Sequence, residues 1–170
     1  FYKKAVKAGI KPILGMEAYV VNEGDRFERK SSQSNGTGKK RKNYSHLILL
    51  AKNKEGYKNL TKLSTLGHTE GFYYRPRIDL DLIKKYREGL VCTSACAGGV
   101  VSTHLVHGDY IKAKEVARAY KEIFGDDFYL EIQNHNMDVE KPILENMPKI
   151  AKEVDIKLVA TNDCHYIDKD

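Results

Sequence analysis

Apolar and polar positions alternate along this chain in two different periods, one typical of strands and one of helices. The run Tyr44–Lys52 is apolar enough for a buried strand, and Ile10–Val21 ends in the β-branched residues of another. Phe128–Gln133, Gly89–Thr93 and Lys157–Thr161 read as three further strands. Between them lie stretches of helical period. Asn53 is placed to cap a helix whose stripe is Tyr57, Leu60, Leu63 and Leu66, ending near Gly67. Asp109–Phe124 carries an apolar face of Ile111, Val116, Ala119, Tyr120 and Ile123, and Val139–Val154 forms another helix. There Pro142 fits the first turn, whereas Pro148 is expected to kink or split the helix. Shorter helices are expected over Phe1–Ala8, over Asp79–Arg87 and after Gly98-Gly99 through His104, with a structured loop over Glu70–Ile78. Strands separated by helices imply parallel pairing with right-handed crossovers, hence an α/β fold. About five strands suit either a doubly wound sheet or part of a β/α barrel, and the pattern alone does not separate the two.

Charge changes this picture at one place. The 170 residues carry 29 Lys plus Arg against 23 Asp plus Glu, a formal net charge of +6. The segment Glu23–Lys42 holds +4 of that charge, so no basic face spread over the fold is expected. Asn22–Asn43, rich in Gly, Ser, Asn and charge, reads as a flexible basic insertion whose run Lys39–Lys42 either touches phosphate or is simply solvated. No apolar run reaches the ~18 residues of a membrane span, and Phe1–Ala8 lacks the apolar stretch of a signal peptide. Three cysteines, Cys92, Cys96 and Cys164, make an odd count without a disulfide framework. A reducing, cytoplasmic compartment is the expectation.

The candidate chemistry gathers at strand ends, where α/β folds build their sites. In Asn162-Asp163-Cys164-His165, the carboxylate and imidazole are two residues apart and in extended chain project to one side. That suits half a metal site, or a structural Asp–His hydrogen bond. Glu17 lies within an apolar strand, where an ionised carboxylate asks for a cation or an Arg. His46 opens a buried strand and is either a ligand or a hydrogen-bonded core histidine. Cys96 follows a strand end and precedes a glycine pair, as a zinc ligand, a nucleophile or a buried thiol. His135 ends a strand in Gln133-Asn134-His135-Asn136. Walker, G-x-G-x-x-G and G-x-S-x-G motifs are absent from the sequence.

Several of these stretches together resemble a known family. Phe1–Ala5, Gly9–Glu17, His46–Asn53, Glu70–Tyr74, Glu88–Val91, Phe128–Glu131 and Ala160–Tyr166 are similar to the PHP domain (polymerase and histidinol phosphatase) of the bacterial DNA polymerase III alpha subunit, a C-family replicative polymerase. The likeness covers nearly all of residues 1–170, apart from the 22–43 insertion. It implies a partial, distorted β/α barrel lacking its first strand or strands, with zinc or manganese at the carboxyl ends of the strands. Carried over by motif, the ligands are Glu17, His46, Cys96, Asp163 and His165, with His135 near the site but not counted as one. The H-x-H motif that opens the family's site is missing, so an isolated fragment is expected to be inactive. The resemblance further implies metal-dependent phosphodiester hydrolysis, of the 3′–5′ exonuclease kind, within a protein that synthesises DNA. DNA, deoxynucleotides and replisome subunits are then partners of the full-length polymerase, and magnesium serves a polymerase domain outside this chain. The alternatives are a non-catalytic scaffold and, ranked lower, a stand-alone PHP phosphoesterase.

Overall fold

The computed structural model describes residues 1–29 and 43–166. The chain divides into two compact units, Phe1–Tyr44 with Ile48–Cys92, and Ser45–Leu47 with Thr93–Asp170. Both are mixed α/β.

The first unit holds helix α1 (Tyr2–Lys7), strands β1 (Gly15–Val21) and β2 (Tyr44–Ala51), helix α2 (Lys54–Thr69), strands β3 (Phe72–Tyr73) and β4 (Arg75–Ile78), helix α3 (Leu80–Lys85) and strand β5 (Leu90–Thr93). Residues Ser45–Leu47 of β2 and Thr93 of β5 count with the second unit. Its strands follow the order β3-β4-β1-β2-β5. β1 and β4 pair in parallel, Tyr19 opposite Arg77 and Val20 opposite Ile78. β1 and β2 run antiparallel instead, fastened at both ends by Ala51 N–H to the Leu14 carbonyl (2.8 Å) and Asn22 N–H to the Asn43 carbonyl (3.3 Å). The expectation of parallel pairing therefore does not hold for these two strands.

Asn53 caps α2 as expected, its side chain accepting from Gly56 N–H at 3.0 Å. The buried face is turned from the expected one. It is Gly56, Leu60, Leu63 and Gly67, while Tyr57 is exposed. Gly56 is there because a Cβ would stand 1.9 Å from the Gly89 carbonyl oxygen, which also accepts from Lys52 N–H at 2.9 Å. Bulk in the sequence marked the stripe, but the closest approach uses glycine. Glu70–Ile78, expected as a loop, contains the short hairpin β3–β4, with Tyr74 at its tip at φ 58°. Pro76 argued against a strand, yet β3 is two residues long and asks for few ladder bonds.

Asn22–Arg29, the opening stretch of the expected insertion, is firmly tied. Arg26 pairs with Glu70 (2.7 Å) and Asp79 (2.9 Å), and the fully buried Arg77 donates to the carbonyls of Gly71, Arg26 and Glu28 at 3.1, 3.1 and 2.9 Å. The run Lys39–Lys42 lies outside the described residues.

The second unit holds helices α4 (Ser102–Val106) and α5 (Tyr110–Phe124), strand β6 (Phe128–Ile132), helix α6 (Lys141–Val154) and strand β7 (Lys157–Ala160). β6 and β7 pair in parallel, with Glu131 opposite Val159, and α6 is their crossover. α5 buries Ala113, Ala117, Tyr120 and Phe124 and leaves Ile111 exposed, again a face rotated from the expected one. Tyr120 stacks on Phe128 at 5.5 Å. α6 runs unbroken through Pro148, with Ile143, Met147, Ile150 and Ala151 buried. Burial of this face outweighs the one backbone bond that proline removes.

Candidate metal centre

The second unit brings two of the expected ligands together. β5 ends at Thr93, and the chain turns through Ser94–Gly99 with Ala95 in the left-handed region at φ 61°. Gly99 closes the turn, its N–H donating to the Cys96 carbonyl at 2.9 Å. A Cβ on Gly99 would lie 1.9 Å from the Ser94 carbonyl oxygen, so the turn needs glycine. The His46 backbone is bound to this turn on both sides, by its N–H to the Gly98 carbonyl (2.8 Å) and by Val100 N–H to its own carbonyl (3.1 Å).

Backbone pairing thus delivers His46 Nδ1 to 3.5 Å from Cys96 Sγ. Zinc bonds of about 2.05 Å to nitrogen and 2.3 Å to sulfur, at a tetrahedral angle, place two ligands of one ion about 3.5 Å apart. The pair therefore fits a shared ion, and it also serves as a thiol–imidazole hydrogen bond when no ion is bound. Cys92, four residues earlier, differs. It is fully buried, and burial pushes its thiol well above the usual range, which makes it a packing residue.

The other expected ligands stand differently. Glu17 sits in β1 of the first unit and is exposed, so the argument from a buried carboxylate is overturned. Alternation turns Glu17 to the side opposite the buried Ala18 and Val20, and burial on Glu17's own side comes only further along, at Val21. Asp163 and His165 follow β7 and are exposed. They do not share a side by extended geometry, because Asp163 has φ 46°. The turn instead lets His165 Nδ1 bond the Asp163 carbonyl oxygen at 2.7 Å, and the Asp163 carboxylate lies 3.8 Å from the same nitrogen. This is the local Asp–His arrangement that the motif left open. Among the described residues, Asp163 and His165 join no cluster of three or more ligand atoms.

Two acidic residues that the sequence reading passed over organise the rest of this unit. Glu131 on β6 is buried and accepts from the hydroxyls of Thr93 and Thr161 and from Gln133 Nε2 (3.0 Å), while its own N–H donates to Ser94 Oγ (2.8 Å). It joins the ends of β5, β6 and β7 through their side chains. The signal was present, since Glu131 is flanked by Leu130 and Ile132. Glu140, also buried, binds His135. Its Oε1 is 2.6 Å from His135 Nδ1, and its Oε2 accepts from the N–H groups of His135 (2.7 Å) and Met137 (3.2 Å). Nε2 of His135 reaches the Asn162 carbonyl oxygen at 2.8 Å. The hydrogen bond the ring makes to Glu140, then that to Asn162, raise the His135 pKa above its usual value. Burial pushes Glu140 upward, but the His135 ring and these N–H donors outweigh it and hold the carboxyl below its usual range. Glu131, Gln133, Glu140, Cys96 and Ser102 also line a cavity of about 10 Å³, the space of one water molecule.

The α/β scaffold thus carries a histidine–cysteine pair at a spacing that a shared ion would suit. More particularly, residues 1–135 match the PHP domain, and the chain belongs to the PHP domain family. The chain is 48% identical over 167 residues to the DNA polymerase III subunit alpha of Aquifex aeolicus, covering 98% of this chain and 14% of that protein. It is 45% identical over 170 residues to that of Borreliella burgdorferi, covering 100% and 14%, and 39% identical over 170 residues to that of Thermus aquaticus, covering 100% and 13%. The chain thus spans about one seventh of the length of these relatives. The α/β architecture agrees with part of a PHP-type β/α barrel. Among the described residues, no helix is long and apolar enough to cross a membrane.

Proposed function

We propose that this chain is the metal-binding PHP part of a replicative DNA polymerase of the DNA polymerase III alpha type. The observation that carries this reading is the His46–Cys96 separation of 3.5 Å, which suits two ligands of one tetrahedral ion. The relatives are named as DNA polymerase subunits, which supports DNA and deoxynucleotides as substrates and further subunits as partners; replisome subunits and the cytoplasm are proposed with that reading. Magnesium would serve the polymerase domain outside this chain.

His46 and Cys96 would be ligands of an ion of zinc or manganese, and Glu17 belongs to the ligand set that the family's motifs carry. Asp163 and His165 complete the set carried by the family's motifs, so carboxylate, imidazole and thiolate are all represented. When bound, such ions lower the pKa of a coordinated water and neutralise a phosphodiester, the chemistry of 3′–5′ exonuclease proofreading. The chain's own residues present and orient the donors. Backbone bonds to Gly98 and Val100 fix the His46 ring beside Cys96, and Glu131 ties together the strand ends around them. No residue here supplies nucleotidyl transfer.

Asp163→Asn in the full-length protein tests this reading. Loss of 3′–5′ degradation with polymerisation intact supports it. Joint loss of polymerisation and thermal stability makes the domain a scaffold and overturns the catalytic part.

A further inference from the structure

Asn162–Tyr166 leaves β7 with little to hold it. Its last ladder bond is Thr161 N–H to the Ile132 carbonyl, at 3.1 Å. Beyond that point, among the described residues, the one hydrogen bond from the segment to the rest of the second unit is the Asn162 carbonyl with His135 Nε2, at 2.8 Å. The bond between His165 and Asp163 is internal to the segment. Asp163 nevertheless adopts a left-handed backbone at φ 46°, a conformation that persists only when its surroundings determine it.

We infer that His135 is the positioning residue for the Asn162–His165 segment. Its ring bridges the buried Glu140 carboxylate and the Asn162 carbonyl, so that the backbone entering Asp163 is fixed from the loop that follows β6 rather than from the segment itself. The geometry is demanding on both sides. Glu140 holds the ring at Nδ1 and holds the loop that carries it through the N–H groups of His135 and Met137. Carboxylate and carbonyl oxygens are both acceptors, so both ring nitrogens donate, as in imidazolium. With its two nitrogens so engaged, His135 acts through Asn162 rather than as a ligand. A buried carboxylate, a histidine and a backbone carbonyl thus form a relay of the kind that orients residues around metal sites. The consequence for metal affinity rests on the function proposed above, whereas the positioning rests on geometry alone.

The test uses the full-length protein carrying His135→Ala or His135→Gln, with two readouts. The first is hydrogen exchange at Thr161, whose amide guards the end of β7. It should quicken about five- to tenfold in H135A, the loss of one hydrogen bond, with exchange in α5 unchanged. H135Q keeps one amide donor for the Asn162 carbonyl and should stay near wild type. The second is zinc titration, in which H135A should bind about ten- to hundredfold more weakly. Unchanged exchange at Thr161 in H135A overturns the positioning role, and should H135A fold poorly, wild-type zinc affinity in an E140Q variant that also leaves Thr161 protected overturns it equally. A wild-type protein that takes up no zinc defeats the metal reading alone, since the exchange result still decides the positioning.

Discussion

The polar centre of the first unit and that of the second are both built from charged and hydrogen-bonding side chains, but they are closed in different ways. In the first, Arg26 bridges Glu70 and Asp79, Asp79 caps α3 through Leu82 N–H, and Arg77 satisfies three carbonyls. Each of these charges is matched by groups of fixed, hard acceptor or donor character, and their work is to tie residues 22–29 to β4 and α3. In the second, the donors are imidazole and thiol, held by backbone bonds and placed at the spacing of metal ligands. Burying charge with full compensation gives a structural knot. An imidazole and a thiol held side by side keep the spacing that two ligands of one ion would need, which is the basis of the function proposed above.

That contrast is broken or sharpened by substitution. The largest effect is expected from Arg77→Met, which strands the carbonyls of Arg26 and Glu28, leaves that of Gly71 only its backbone donor, and should cost about 3–5 kcal/mol, read by native-state hydrogen exchange over α2 and α3. If Cys96→Ser in the second unit cost as much, the two centres would not differ in kind. Gly99→Ala comes next. Its Cβ meets the Ser94 carbonyl at 1.9 Å, so about 1–3 kcal/mol of overpacking should open the turn and part Cys96 from His46. Gly98→Ala is its control, since a Cβ there makes ordinary contacts of 3.5–3.7 Å with His46 and Cys96. Both are measured by exchange in β6 and by zinc titration.

A pH effect of about 1 kcal/mol is expected at Asp79, the typical value of a helix cap. Burial raises its pKa, but the N–H groups of Leu82 and Arg26 and the Arg26 guanidinium bring it below its ordinary 3.8. A depressed carboxyl contributes stability that is present above its unfolded value and lost as pH falls through the folded one. First-unit exchange should therefore quicken below about pH 4 in the wild type. Asp79→Asn should remove that acid-dependent part, and an unaltered acid profile would count against the Arg26–Asp79 pair. Gly98→Ala should give the smallest change, within about 0.5 kcal/mol.

Much of the fold was legible because strand and helix periods differ so clearly. β2, β5, β6 and β7 lie where apolar runs placed them, and Asn53 and Asp109 cap α2 and α5 through their side chains. The buried faces were less legible. In α2 and α5 the closest packing is made by Gly56, Gly67, Ala113 and Ala117, small residues that hydrophobicity underrates, while Tyr57 and Ile111 face out. At the site, His46 and Cys96 emerged from residue type and strand-end position, and their pairing depends on the isolated bridge of His46 with Gly99, invisible in the sequence. Asp163-x-His165 was read with extended geometry that a left-handed residue cancels. Glu131 and Glu140 escaped notice because their partners, Thr93, Thr161 and His135, lie 38, 30 and 5 residues away.

The claim at the centre of this account is that the His46–Cys96 pair holds a metal ion. Elemental analysis of the full-length protein, purified without chelator or affinity metal, tests it directly when wild type and Cys96→Ser are compared. Stoichiometric zinc or manganese in the wild type, depleted in C96S, is the expected result. A metal-free wild type, or equal metal in both, would contradict it.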